Sequence, residues 1–243
     1  MTIPRLIAIG LIFVCCSLAW FSLGASVVTR SGESDAALGQ QVAQLWGGHH
    51  QQAAPTACIE RPREVSENVE EKDEQGRVHK RRVTRTVLDC IPVPLVSSKL
   101  DVDLKLEHRR KGLLWYDTYT VDFAGRYGLH NEDAEPRTMV VRFEFPSAEA
   151  PYDGFRLLVD GNEPALDVQS PAPGTAPGRA AVTRVRVGPG AVALADVRYR
   201  SRGLGPWEYA LVPAGVAQVR DFELDMTTDF AAIDFPPGTL SPT

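Results

Sequence analysis

Leu100-Asp101-Val102-Asp103-Leu104-Lys105-Leu106-Glu107 alternates apolar and charged residues without a fault over eight positions. Successive side chains of an extended chain point to opposite faces, so this is the pattern of a β-strand with one face buried and the other in water. Met139, Val141, Phe143 and Phe145 repeat it. Further strands are expected at residues 115–123, 155–159, 181–187, 193–201, 207–212 and 219–226. Turn residues separate them: Asp160-Gly161, Gly188-Pro189-Gly190, Gly203-Leu204-Gly205-Pro206 and Pro213-Ala214-Gly215. The run PAPGTAPG at 171–178 reads as a surface loop. Such spacing predicts a mainly β fold, an antiparallel sandwich-like domain over residues 55–243.

Toward the N-terminus the pattern changes. Residues 6–28 contain no charge over 23 positions. At about 1.5 Å per residue they reach roughly 34 Å as a helix, enough to cross a hydrocarbon core of about 30 Å. A cleaved signal peptide is the rival reading, but its apolar core is usually about 7 to 15 residues and ends in a small-x-small site. Leu23-Gly24-Ala25 puts leucine where a small residue is preferred, so an uncleaved signal anchor over residues 1–30 is favoured. A lipidated cysteine is disfavoured as well, because Phe13 and Val14 precede Cys15. Cys15 and Cys16 then read as ordinary apolar helix residues.

Arg5 is the only charge before the span and keeps the N-terminus cytoplasmic by the positive-inside rule. The bulk of the chain is then expected outside a bacterial cytoplasmic membrane. Of 26 Lys and Arg, 25 lie beyond the span against 31 Asp and Glu, which leaves -6 and argues against nucleic acid as a partner. Residues 31–54 form a stalk and linker. Leu38, Val42 and Leu45 stand at helical spacing behind Ser34 or Asp35 as N-cap, and Gly47-Gly48 ends the helix.

Several segments resemble the CreD family of bacterial inner-membrane proteins: VAQLWGG at 42–48, GLLWYDTY at 112–119, YRSRGLGPWEY at 199–209 and DFELDMTTDFAAIDFPPGTLSPT at 221–243. The resemblance implies an N-terminal membrane helix, a β-rich periplasmic domain and a link to envelope stress. It also implies later membrane helices, which this sequence does not reach by Thr243, as a part of a longer protein or a shortened relative would not. The family has no established catalytic residues, so the resemblance assigns no site and no cofactor.

The residues themselves offer weak candidates. His49-His50 lacks the third ligand that a metal site needs, and a solvated linker is the plainer reading. His130-Asn131-Glu132-Asp133 has the oxygens for a hard cation in loose spacing, and a polar turn is favoured. Asp101 and Asp103 share a strand face, but an exposed face is no pocket for acid–base chemistry. Arg198, Arg200 and Arg202, joined by Arg184 and Arg186 of the preceding strand, form a candidate basic face for anionic lipid or glycan. The structural alternative pairs them across a sheet with Asp221, Glu223 and Asp225. Trp115, Tyr116 and Tyr119 could stack on a sugar, although core packing is favoured. Sequence signatures of common hydrolases, nucleotide-binding loops and Cys-x-x-Cys are missing from the chain.

Cys58 and Cys90 form a candidate disulfide, with two unpaired, buried cysteines as the alternative. Both lie beyond the membrane, and the charged stretch between them has a natural reversal at residues 70–76, where Gly76 tolerates positive φ. A hairpin turning at residue 74, their midpoint, would set them nearly opposite. Together these readings predict a membrane-anchored binding or structural module with no chemistry of its own and envelope proteins or glycans as partners. The alternative is a glycan- or peptide-active envelope enzyme with an unrecognised site.

Overall fold

The computed structural model describes residues 3–72, 78–170, 178–210, 220–235 and 238–239. The expected loop at 171–177, the turn at 213–215 and the hairpin reversal at 73–76 lie outside them. One helix, α1 (Ile3–Trp46), precedes twelve strands. These are β1 (His50–Ala53), β2 (Thr56–Lys72), β3 (Val78–Val93), β4 (Leu95–Lys111), β5 (Leu114–His130) and β6 (Arg137–Glu144). They continue with β7 (Tyr152–Val159), β8 (Asp167–Gln169), β9 (Ala180–Val187), β10 (Val192–Leu204), β11 (Trp207–Ala210) and β12 (Phe222–Thr228).

Anchor and stalk are one continuous helix rather than two, so Ser34 and Asp35 lie inside it and cap nothing. Pro4 falls in the first turn, where its missing N–H costs no hydrogen bond, and no proline follows before Pro55. The helix stops at Gly47, whose φ of 94° is closed to ordinary residues and whose N–H donates to Ala43 O at 2.8 Å. Leu38 and Trp46 are half-buried and Val42 is buried, whereas Leu45 stays exposed. The docking stripe therefore runs 38, 42, 46. No part of its apolar membrane-length window is buried, and Ile3, Phe13, Trp20 and Phe21 are all exposed. By length and composition it suits a membrane anchor or a signal sequence.

Two five-stranded sheets face each other, in the orders β12-β4-β5-β10-β7 and β3-β2-β6-β9-β8, and a two-stranded parallel sheet joins β1 to β11. All pairs within the large sheets are antiparallel except β12 with β4. The alternation at residues 100–107 reads as expected in β4: Leu100, Val102 and Leu104 are buried and Leu106 half-buried, while Asp101 and Lys105 are exposed. Val121, Phe123, Val197 and Tyr199 fill the same inner face, opposite Met139, Val141 and Phe143 of the other sheet. Aromatic rings close the gap between the sheets: Phe123 stacks on Tyr199 at 4.9 Å, and Phe143 meets Tyr199 at 6.2 Å. At the end of β7, Asp160 and Gly161 both take positive φ, as a two-residue hairpin turn requires.

Two long hairpins overrun this sandwich. Strand β2 is covered by β6 only over residues 56–59, and beyond that β2 and β3 have only each other. Pro62 is accommodated because one edge of β2 is free there. At the other hairpin, β10 covers β5 from Thr118 onward, so the ends of β4 and β5 leave the sandwich and run beside α1 to a tip at Gly112-Leu113. Gly112 has a φ of 62° at the first turn position.

Candidate functional site

The five arginines expected on one basic face are divided between two. Strands β9 and β10 follow each other in the chain but belong to different sheets, so Arg184 and Arg186 point outward from one layer and Arg198, Arg200 and Arg202 from the other. Nor do the latter meet Asp221, Glu223 and Asp225, because β4 and β5 lie between β10 and β12. Partners come from nearer strands. Arg200 makes a bidentate pair with Asp122 of β5, Nε–Oδ1 2.6 Å and Nη2–Oδ2 3.0 Å, and Arg184 reaches Glu60 at 3.1 Å. Lys99 takes Glu223 at 3.2 Å, and Arg126 takes Asp196 at 2.7 Å. Charges therefore do pair across the sheet, as residue types demanded, but with partners set by strand order.

Arg198 differs from its neighbours. In the register Ala124 of β5 lies on one side and Arg156 of β7 on the other, and among the described residues no carboxylate comes within 4.0 Å of it. Two open hollows of the outer face meet around this residue. Lys99, Asp101, Arg126 and Asp225 line one, and Asp103, Asp122, Asp153 and Arg200 line the other. A bulge in β7 at Gly154, with φ 62°, shapes the second. The arrangement sets Arg198, with Arg156 opposite it, on a face whose two hollows are lined by seven carboxylates and four cations. It can hold a small polar group by hydrogen bonds. Asp101 and Asp103, expected on an exposed face without a pocket, line these open hollows.

A second polar cluster lies inside the sandwich, where the sequence suggested a solvated linker. His50 and Gln52 are fully buried in β1. Tyr199 donates to Gln52 Oε1 at 2.8 Å, and His50 Nε2 lies 3.0 Å from Ser201 Oγ. The serine donates to Pro151 O at 2.8 Å, and His50 Nδ1 lies 3.1 Å from Gly48 O. A serine–histidine pair is the beginning of a nucleophile. Here it is sealed, with Ser201 1% exposed and the rings of Tyr119 and Tyr152 packed on the imidazole. Any side chain on Gly203 would collide with His50 and Tyr119, which is why that position is glycine.

The proton count at this cluster is unbalanced. Contacts to Gly48 O, between His50 and Ser201, and to Pro151 O need three protons, and a neutral imidazole with one hydroxyl carries two. Only the charged ring would satisfy all three. Burial opposes that charge more strongly, lowering the His50 pKa to about 4 against the raising effect of the Gly48 carbonyl. The ring is neutral at pH 7, and the cluster ties β1 to β10 and to the start of β7. The signal for this burial in the sequence was slight: a polar HHQQ run beside a double glycine.

The remaining candidates resolve plainly. His49 is exposed while its neighbour is buried, and among the described residues no three His, Cys, Asp or Glu side chains gather to hold a metal ion. In the loop after β5 the candidate ligands Asn131 and Asp133 are engaged within the protein. Asn131 is buried and donates to the carbonyls of Glu135, Val187 and Gly188, and Asp133 accepts from Arg61 and Arg137. Those two guanidiniums hold the Asp133 carboxyl below its ordinary range. The three aromatics part company: Tyr119 is core, Tyr116 is half-buried against Asp35 of α1, and Trp115 stands 65% exposed.

Cys58 and Cys90 are disulfide-bonded, with Cα atoms 5.3 Å apart. They are diagonal rather than directly opposite, since Cys58 pairs with Pro92 and Cys90 with Glu60. That register centres the hairpin one residue beyond the midpoint of the cysteines.

No protein-family model matches the chain, and no curated protein matches it. Among solved structures there is a distant likeness to a Legionella pneumophila (subsp. pneumophila strain Philadelphia 1) protein described provisionally as nutrient binding. Identity is 12% and the TM-score 0.38, over 62% of this chain and 43% of that one. A likeness so loose carries no argument about fold or function.

Proposed function

We propose that this chain is a membrane-anchored, extracytoplasmic binding or structural module of the CreD-like type, without chemistry of its own. The observation that carries the proposal is the continuity of α1. An apolar helix with no part of its membrane-length window buried runs without a break into a stalk that is docked, through Val42 and Trp46, on a mainly β domain. Helix and domain are built as one piece, which suits a retained anchor better than a leader to be cut away. Arg5 then orients the domain outward. The Cys58–Cys90 bridge supports the same side, because disulfides persist in oxidising compartments.

For the module itself, the outer face around Arg198 is the best place for a partner: open, polar and richer in carboxylates than in cations. Envelope proteins or glycans are the partners that such a face and such a location suit. A role in envelope stress follows from the CreD resemblance. The test is the mature N-terminus of protein recovered from bacterial membranes after alkaline extraction. An intact N-terminus in the membrane pellet is the expected result. A terminus at Ser26, or release of the protein into the extract, would sink the proposal.

A further inference from the structure

The tip of the β4–β5 hairpin is an unusual surface. Leu113 is 87% exposed and Trp115 65% exposed, at a position where the ladder has left the sandwich behind. Around them stand Arg109, Arg110 and Lys111. Arg109 is engaged, paired with Glu107 and lying over the Trp46 ring at 4.2 Å. Arg110 donates only to the carbonyl of Gly112, at 3.0 Å, and among the described residues neither Arg110 nor Lys111 has a carboxylate within 4.0 Å. Two large apolar side chains and two unpaired cations thus share one exposed turn.

The direction of the hairpin gives this turn a meaning. It runs back along α1 toward the apolar span: Arg109 meets Trp46, Tyr116 lies against Gly39 and bonds Asp35 at 3.3 Å, and Gly112 lies beside Leu38. Asp35 is seven residues past Val28, the last of the uncharged stretch. At 1.5 Å per residue the tip sits about 10 to 15 Å along the helix beyond the hydrocarbon. The headgroup layer is about 5 to 8 Å deep on each side of a bilayer, and a tilt of about 20°, ordinary for a single span, lowers an off-axis tip further. Exposed Leu and Trp flanked by Arg and Lys is the composition of an interfacial membrane contact. Arg30 of the stalk adds to the attraction for anionic lipid, while Glu33 and Asp35 subtract from it.

We infer that the β4–β5 tip is a second membrane contact, with Leu113 and Trp115 entering the headgroup layer of the bilayer that holds α1 and Arg110 and Lys111 on its anionic phosphates. The inference rests on the anchored reading above. It would fix the tilt of helix and domain together, holding the outer sheet face at a set angle to the membrane.

Single nitroxide labels on the full chain test it, in vesicles of phosphatidylethanolamine and phosphatidylglycerol. Cys15→Ser and Cys16→Ser clear the helix of thiols, and the bonded Cys58 and Cys90 take no label. Labels then go on Gly10→Cys within the span, Leu113→Cys at the tip, and Ala191→Cys at the far end of the sandwich. Relative to position 191, position 113 is expected to lose several-fold of its collisions with a water-soluble nickel chelate and to gain collisions with oxygen. Adding Arg110→Gln and Lys111→Gln is expected to reverse most of that protection. Position 113 behaving like 191 while position 10 is protected would overturn the inference and leave the anchor standing. Full protection at 113 in the doubly neutralised variant would overturn the role of the two cations. An unprotected position 10 would overturn the anchored reading itself.

Discussion

The two long hairpins have ladders of nearly equal length, yet they are held by different forces. Strands β4 and β5 carry Leu100, Val102, Leu104, Val121 and Phe123 on one face, and both find a further partner, β12 and β10. Strands β2 and β3 bury Ala57, Ile59 and Val93 at their base, and no side chain described beyond Ile59 in the arm is buried, with Leu88 60% and Val83 39% exposed. Hydrogen bonds along a ladder contribute little net stability, since water offers the same bonds to the unfolded chain. Burial separates the two hairpins, and the charged one carries the disulfide at its base.

The largest expected effect is in β4. Leu104→Ala should cost about 2 to 5 kcal/mol, because it opens a cavity between the sheets, while Val83→Ala in the arm should cost under about 1 kcal/mol. Urea unfolding of the full chain in detergent micelles measures both, and equal costs would erase the distinction. Next is the bridge. Replacing Cys58 and Cys90 with serine frees a loop whose ends are 32 residues apart, and the chain-entropy model gives a loss of about 3 to 4 kcal/mol. A loss near zero would mean that the arm frays independently of the sandwich.

A pH effect follows from His50. Its pKa is about 4 in the folded chain against the ordinary 6.5, so between those values the unfolded state binds more protons and stability falls as pH is lowered. The loss should reach about 3 kcal/mol by pH 4. His50→Gln should flatten that part of the profile, whatever the carboxylates contribute. If the variant keeps the wild-type slope, the histidine is not the cause. The smallest effect belongs to the arm again: Leu88→Thr should change stability by no more than about 0.5 kcal/mol, since its side chain is already in water. A larger loss would mean that the arm packs against something.

Period-two alternation was enough to place β4 and β6, and to say which side chains of β4 face inward, because facing along a strand is a local property of the chain. The continuous apolar run of α1 was equally plain, since length and absence of charge decide it. Partnership is not local. Arg184 and Arg198 look like members of one face until strand order puts β9 and β10 in separate sheets. The partner of Arg200 is Asp122, not an acid of β12, for the same reason. Trp115 and Tyr119 are four residues apart in one strand, yet one is exposed and the other is core, because β10 begins to cover β5 only at Thr118. His50 is the sharpest case. Nothing in a polar run tells whether water or a serine, two tyrosines and a carbonyl will surround an imidazole; the packing of β1 against β10, β5 and the start of β7 decides that, by removing the water.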